Sequence, residues 1–347
     1  NGDGFGNTVV GSGSFGLSQS SSYNTGVGAG AGYNTGTGSN NTVMGYEALF
    51  SNDSLSYLVA IGDSALYYNG TVVVQDGDGL KNTAVGSKAL MNNRSGNQNT
   101  AVGYQALMNN LGGNPMGQDS CTFDRNGNCS FGDQNTAIGS QAGFHNTQGA
   151  ANVFIGHSAG FFNTTGGENV FIGSGVGTFK RPGGGQVYIG RAPGGQNVDG
   201  SANIFIGEGA ANFNDSGRRN LIMGEDAAQN AVTANFNVIL GHRAGREILG
   251  GTSNVAIGSF SLFGDSVNTV QNTVAIGDSA LYAISTGIGN TAVGNIALRM
   301  NTEGDHNTAL GFESLKSNLA GNQNTALGAF SLYRNESGIG NTAAGFL

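Results

Sequence analysis

The chain has 347 residues, of which 63 are Gly and only three are Pro, and its charged residues make up 10% of the total. Intrinsic disorder is excluded because a disordered chain is short of apolar residues and rich in net charge, whereas this one is 38% hydrophobic. Collagen is excluded because it requires Gly at every third position together with abundant Pro. The net charge of −8 and the scattered Lys and Arg residues argue against a nucleic acid as partner.

An apolar residue followed by Gly recurs along the whole chain, and we number each repeat from this anchor Gly as position 0. Fifteen of the eighteen intervals between successive anchors are 17 residues long, and the others contain insertions. The anchors are Gly11, Gly28, Gly45, Gly62, Gly86, Gly103, Gly139, Gly156, Gly173, Gly190, Gly207, Gly224, Gly241, Gly258, Gly277, Gly294, Gly311, Gly328 and Gly345. A fixed period of this kind is typical of a solenoid.

Two positions of the repeat carry the strongest pattern. Position −1 is apolar in every copy, and the residues that we predict as structural core are Val10, Val85, Val102, Ile155, Ile172, Ile206, Ile257, Ile276 and Val293. Position −4 is Asn in sixteen copies and is expected to form a hydrogen-bonded Asn ladder along the axis, including Asn82, Asn99, Asn152, Asn169, Asn203, Asn290, Asn307 and Asn324. Asn and Gly tolerate positive φ, so Asn at +7 and Gly at +10 are expected to mark corners.

A 17-residue unit of short strands and tight corners cannot bury its own apolar face, but it can do so against identical neighbours. The sequence therefore predicts an all-β fold, a parallel β-solenoid (β-roll) of about 19 coils that spans residues 1–347 as a single array. Stacking at roughly 4.8 Å per coil would give a rod on the order of 90 Å long.

Residue sizes at positions −2 and +4 exchange along the chain. The flanking repeats pair Ala84 with Leu90, whereas the central repeats pair Phe171 with Gly177. Such reciprocal changes indicate a shared volume, so we expect −2 and +4 to form one apolar layer and −1 and +3 a second. Adjacent strand residues face opposite ways, so one layer requires another surface to cover it. A charge at −1, as in Ile206→Asp, is then expected to disrupt the rod locally.

Repeats such as Asn99-Thr-Ala-Val-Gly-Tyr-Gln-Ala-Leu107 resemble the head repeats of trimeric autotransporter adhesins, and also the Asn-Thr-Ala-Val-Gly repeats of bacterial and phage fibre proteins. The resemblance covers essentially the whole chain. It implies a left-handed β-roll that associates as a trimer, an extracellular, cell-surface or virion location, and adhesion to a host-surface glycan or protein. The repeat is longer than the usual autotransporter unit, and the neck, stalk and membrane anchor of that family are absent from this sequence.

The two longer insertions, at residues 67–80 and 111–133, are loops on a scaffold and therefore the preferred places for binding, whereas the third adds only two residues between Gly258 and Gly277. Cys121 and Cys129 lie in the second insertion, and we expect them to form a disulfide if the protein is extracellular, with two free thiols as the alternative. Asp76, Asp78 and Asp124 weakly resemble calcium-loop residues, although the distal bidentate carboxylate of such a loop is missing. No other metal and no cofactor is expected.

Two further surface features are open to a functional and a structural interpretation. An aromatic band lies just beyond position +4 and comprises Phe144, Phe161, Phe162, Phe179 and Phe213. We expect it to fill the space left by Gly at +4, the alternative being a binding surface. The basic residues Arg218, Arg219, Arg243 and Arg246 alternate in sequence with acidic ones and are expected to form solvated ion pairs.

The sequence shows no clustered acids and bases of the kind that an enzyme groove requires, and no run of about 20 apolar residues that would insert into a membrane. We therefore expect a structural or adhesive fibre segment that is not an enzyme and that forms a homo-oligomer. The chain begins and ends within a repeat without evident caps, so a filament subunit that stacks end to end is the first alternative. An ice-binding solenoid is the second, because Thr recurs at −3, as in Thr83 and Thr100.

Overall fold

A computed structural model describes residues 4–52, 54–71, 79–112, 132–178, 183–196, 199–265 and 270–347, together with the backbone of 122–123 and 129–130. The chain divides into two compact units, Asn1–Gly184 and Gly185–Leu347. Each unit is a run of coils, so the all-β parallel solenoid with a 17-residue repeat is confirmed. The single array over 1–347 stays a prediction.

The first unit contains nine solenoid strands of three residues each and one two-stranded hairpin. The solenoid strands are β1 (Thr8–Val10), β2 (Thr25–Val27), β3 (Thr42–Met44), β4 (Val59–Ile61), β5 (Thr83–Val85), β6 (Thr100–Val102), β9 (Thr136–Ile138), β10 (Val153–Ile155) and β11 (Val170–Ile172). The hairpin pairs β7 (Thr122–Phe123) antiparallel with β8 (Cys129–Ser130) and lies within the second insertion.

The second unit contains ten strands of the same length. They are β12 (Val187–Ile189), β13 (Ile204–Ile206), β14 (Leu221–Met223), β15 (Val238–Leu240), β16 (Val255–Ile257), β17 (Val274–Ile276), β18 (Thr291–Val293), β19 (Thr308–Leu310), β20 (Thr325–Leu327) and β21 (Thr342–Ala344). Within each unit, neighbouring solenoid strands are parallel and equivalent positions of successive repeats lie opposite each other, as in Phe205 with Ile222.

Two features of the anchor position require Gly: its positive φ and the close approach of the next coil. Gly207 has a φ of +131°, and a Cβ added to it would lie 2.5 Å from the carbonyl oxygen of Gly224 in the next coil. Its amide donates to the carbonyl of Ile189 in the previous coil at 2.9 Å. No side chain fits between backbones that approach this closely, which explains why Gly recurs at this position in every repeat.

The strands alternate in burial, and it is the middle residue, position −2, that faces the interior. Phe205 is fully buried, whereas its neighbours Ile204 and Ile206 are exposed and half-buried. Positions +3 and +4 are buried in the same interior, as shown by Ala48 and Leu49. One apolar layer therefore combines −2, +3 and +4.

The sequence-based core assignment of position −1 is wrong for the isolated chain. None of the nine residues predicted as core is buried, and Val10 and Val102 are exposed. These residues are Val10, Val85, Val102, Ile155, Ile172, Ile206, Ile257, Ile276 and Val293. They lie on the outer face of the strands, since a period of two directs −1 away from the side to which −2 points. The proposed layer of −1 with +3 is wrong for the same reason.

The predicted exchange of volume between −2 and +4 is confirmed. A Cβ on Gly177 would lie 2.7 Å from Cε2 of Phe171, and one on Gly194 would lie 2.6 Å from Cε2 of Tyr188. The aromatic rings at −2 therefore occupy the space that Leu fills at +4 in coils with Ala at −2.

The backbone between the anchor Gly and the buried Leu reverses its φ sign repeatedly. Glu47 at +2 and Leu49 at +4 have φ values of 50° and 51°, and non-glycine residues recur in this region at both positions along the chain. Left-handed backbone costs roughly 1–2 kcal/mol per residue, which is comparable to the roughly 1.5–3 kcal/mol gained by fully burying a Leu side chain. Burial of Leu49 thus offsets the strain of its own backbone.

Two columns of Asn side chains run through the interior. The predicted ladder at −4 is confirmed: Asn99 donates its backbone N–H to Oδ1 of Asn82 at 2.9 Å, and Asn324 donates in the same way to Asn307 at 3.0 Å. All eight of its predicted members are buried, namely Asn82, Asn99, Asn152, Asn169, Asn203, Asn290, Asn307 and Asn324.

The second column, at +7, was predicted only as a corner, but it is a buried ladder as well. Nδ2 of Asn163 donates to Oδ1 of Asn146 at 2.9 Å and to the carbonyl of Gly166 at 2.8 Å. Each side-chain amide thereby makes one hydrogen bond to the neighbouring coil and one within its own turn. These bonds remove most of the free-energy cost of burying the amide.

Candidate interaction faces

The outer side of the strands forms one candidate functional surface in each unit. We call it the strand face and define it as positions −3 and −1 of the nineteen strands. In most of these strands both flanking residues are at least partly exposed and the middle one is buried. Strand pairing keeps equivalent positions one above another, so the face is a double column of side chains.

The strand face carries no charged residue. Position −1 is Val, Ile, Leu, Met or Ala throughout, and position −3 is Thr, Val, Ile or Leu. Several of these side chains are clearly exposed, among them Met44 at 43%, Ile138 at 42% and Leu327 at 51%. The apolar layer that the sequence predicted to require a covering surface is therefore this outer layer.

The size of the strand face can be estimated for one unit. Ten strands about 4.8 Å apart give a length of about 45 Å, and two outward residues per strand give a width of about 10 Å. The resulting area of roughly 450 Å² is comparable to the largest apolar patch on a typical monomer, which is often functional. Its regularity distinguishes it from scattered surface hydrophobic residues.

Each side of the strand face is bordered by a column of exposed residues. The −5 border includes Lys81, Glu168 and Arg219, and the +1 border includes residues such as Asp63 and Glu208. Position −5 is left-handed where it is not Gly, as in Arg219 with a φ of 56°. The charged residues therefore lie beside the strand face and not on it.

A second surface feature is an aromatic ladder at position +5. The rings of Tyr33, Phe50 and Tyr67 are stacked, with centroids 5.0 and 5.1 Å apart and planes within 10° of parallel. Phe144 and Phe161 form a similar stack at 5.1 Å. Because the rings face each other along the solenoid, they present edges outward, which does not suit stacking against a flat sugar ring.

The aromatic band does not fill the space left by Gly at +4, and that expectation is wrong for its described members. Phe144 and Phe161 are half-buried on the surface, and Phe162 and Phe213 are exposed at 40% and 39%. Phe179 lies outside the described residues. The space beside Gly160 is occupied instead by Phe154 from position −2.

His145 belongs to this aromatic surface. Its ring stacks on Phe162 with centroids 5.0 Å apart and planes 3° from parallel, and it meets Phe144 and Phe161 edge-on. Burial lowers the pKa of His145 because the protonated ring loses hydration. The neutral form is therefore favoured by the fold.

The expected ion pairs of the basic cluster are found in part. Nε of Arg243 lies 3.7 Å from a carboxylate oxygen of Asp226, and Nη1 of Arg246 lies 3.7 Å from Oε1 of Glu247. Arg219 instead lies over the ring of Phe236, at 5.4 Å from its centroid. The contacts of Arg243 and Arg219 bridge successive coils, whereas Arg246 and Glu247 are neighbours in one coil. All lie at a partly exposed surface, where a single ion pair contributes little.

The remaining predicted sites cannot be placed. Asp76, Asp78, Asp124 and Cys121 lie outside the described residues, and the side chain of Cys129 does as well. In the part of the chain that the structure describes, no group of three or more His, Cys, Asp or Glu residues could hold a metal ion. No helix in the same part has the length and apolarity to cross a membrane.

Comparisons with known proteins place the chain in no group: no family model, no curated protein and no solved structure matches it. The class that the structure itself defines is a β-solenoid repeat protein.

Proposed function

We propose that this protein is a structural or adhesive segment of an extracellular fibre or adhesin head, and that its solenoid acts as a rigid scaffold. The observation that carries the proposal is the uncharged strand face, which continues through every strand of each unit. A scaffold that functioned as an isolated monomer would expose this face to water, whereas one that packs side by side with further copies buries it.

The interior supports a mechanical function. Within each unit, the backbone hydrogen bonds connect each coil to the next, for example from the N–H of Leu49 to the carbonyl of Ala65 at 2.8 Å. The two Asn ladders add side-chain bonds in the same direction. Force applied along the stack is therefore shared among many parallel bonds in every coil.

The resemblance to autotransporter heads and fibre proteins supports a left-handed coil, a trimer and a location on a cell surface or virion. In this proposal, the insertions at 67–80 and 111–133 display the attachment sites. The coil continues on both sides of the first insertion, since Nδ2 of Asn69 donates to the carbonyl of Gly79 at 2.9 Å. A host-surface glycan or protein is the proposed ligand, and no catalytic activity is part of the proposal.

Ice binding is the second candidate, and one observation favours it: the Thr side chains at −3 point outward on a regular parallel sheet, as Thr83 and Thr100 do. The column contains aliphatic residues at Val153, Ile204 and Leu221, among others. A continuous Thr array is thus missing, and the apolar −1 column fits protein packing better.

Native mass by light scattering, followed by negative-stain imaging of the same sample, tests the proposal. Discrete particles of three chains are expected. Long filaments would favour the end-to-end polymer, and a strictly monomeric protein would contradict side-by-side packing. Thermal hysteresis in a freezing assay would favour ice binding over the scaffold.

A further inference from the structure

The two borders of the strand face carry charges that match each other across copies of the chain. The −5 border has three residues with permanent charge: Lys81, Glu168 and Arg219. The +1 border residues of the coil before each one are Asp63, His157 and Glu208. The partner is acidic for both basic −5 residues, and it is His157 for Glu168. All six residues are exposed.

These matches are not contacts within one chain. No ion pair of the described residues joins a −5 residue to a +1 residue. Among the described residues, Glu208 pairs instead with Arg191 in its own column, and Arg219 lies over Phe236. The Glu208 side chain remains 51% exposed in its pair with Arg191, so a second molecule can still reach this carboxylate.

Parallel packing of two copies brings the two kinds of border together. When the strand faces of parallel copies turn toward a common axis, the strands of all copies follow one another in the same sense around it, so +1 of one copy lies beside −5 of the next. Antiparallel packing places +1 beside +1. The charges thus distinguish the two arrangements.

The register follows from the rise of the coil. A coil climbs about 4.8 Å in 17 residues, and +1 comes six residues after −5 of its own coil. A −5 residue therefore lies between the +1 residue of its own coil and that of the coil before, within about 3 Å in height of each. Lys81 then faces Asp63 and Ser87, Glu168 faces His157 and Ser174, and Arg219 faces Glu208 and Glu225.

We propose that copies of this chain pack through the strand face in parallel and in register, with the −5 border of one copy against the +1 border of the next. The pairs Lys81 with Asp63, Glu168 with His157, and Arg219 with Glu208 and Glu225 set the polarity and the register. Around a three-fold axis each copy turns its −5 border toward one neighbour and its +1 border toward the other, so the interface is heterologous and the ring closes at three chains. This inference rests on the side-by-side association of the proposed function and specifies its geometry.

The direct test is zero-length cross-linking of the unsubstituted protein. Light and ¹⁵N-labelled chains are mixed in denaturant, refolded together and treated with a carbodiimide, which joins a lysine amine to a carboxylate as an amide. Peptide mass spectrometry is expected to find Lys81 joined to Asp63 with mixed isotope labels. Lys81 of one chain joined to Glu168 of another chain, and not to Asp63, would overturn the proposal.

Charge reversal gives a second readout. Arg219→Glu is expected to raise the dissociation constant of the oligomer about tenfold, since two attractive pairs become repulsive. Adding Glu208→Arg and Glu225→Arg is expected to restore most of the affinity. Arg334→Glu is the control, because Arg334 is exposed at position +6, outside the strand face and its borders.

The outcomes separate this inference from the function on which it rests. A monomeric unsubstituted protein would contradict the side-by-side association itself. An oligomer that responds equally to Arg219→Glu and Arg334→Glu, or that the triple variant does not restore, would leave the association intact and overturn the proposed register.

Discussion

The neighbouring residues Phe205 and Ile206 provide the sharpest test of which strand positions form the core. Phe205 is fully buried and its ring stacks on Tyr188 with centroids 4.8 Å apart, whereas Ile206 is half-buried on the strand face. Burying about 150 Å² of a Phe side chain at about 25 cal/mol per Å² contributes about 4 kcal/mol. Phe205→Ala is therefore expected to destabilise its coil by about 3–5 kcal/mol.

Ile206→Asp, although chemically more drastic, is expected to change the stability of the isolated chain by only about 1 kcal/mol, because its carboxylate remains in water. In the oligomer the same carboxylate would be buried without a partner, at a cost of several kcal/mol per copy. We expect association to be lost while the fold persists. This replaces the sequence-based expectation that Ile206→Asp disrupts the rod.

Hydrogen exchange measures the local effect, because a repeat array need not unfold in a single step. The amide of Ile204, which donates to the carbonyl of Asn220 at 2.8 Å, reports on this coil. Its protection should fall in Phe205→Ala and stay within about tenfold of the unsubstituted chain in monomeric Ile206→Asp. Equal loss of protection in both variants would refute the inward assignment of −2.

Three further predictions concern the backbone, the Asn ladder and pH. Gly207→Ala should lower the free energy of unfolding in urea by at least about 3 kcal/mol, because its Cβ would meet the backbone of the next coil. Gly175 has a φ of +66° and open space around it, so Gly175→Ala should cost only about 1–2 kcal/mol. Similar denaturation midpoints for the two variants would contradict the close contact between coils. Asn163→Leu removes three side-chain hydrogen bonds from a buried column and should cost about 2–4 kcal/mol by the same measurement. An unchanged midpoint would show that the +7 ladder contributes no stability. The lowered pKa of His145 means that folding disfavours its protonation, so its contribution should be complete above about pH 6.5 and decline as the pH falls below that value. His145→Phe should reduce the loss of stability between pH 7.5 and 5, and an identical pH dependence in both proteins would contradict the desolvation of this ring.

The amino-acid sequence determined the architecture because each coil repeats the same local requirements. Gly at position 0 follows from the contact between successive backbones, and Asn at −4 from a donor and acceptor pattern that recurs coil after coil. The exchange of Phe171 and Gly177 for Ala and Leu revealed a shared volume directly, since a core of fixed cross-section conserves volume. These features depend only on neighbouring repeats.

The tertiary structure decided which apolar position faces inward. Alternation along a strand requires −1 and −2 to face opposite sides, but both are apolar here, so the pattern fits either choice. The choice depends on the turn that follows: the left-handed residues at +2 and +4, such as Glu47 and Leu49, direct +3 and +4 toward the side of −2. Positive φ is predicted from a sequence by the presence of Gly or Asn. A Leu that is held in the left-handed region by the burial of its side chain cannot be recognised in this way.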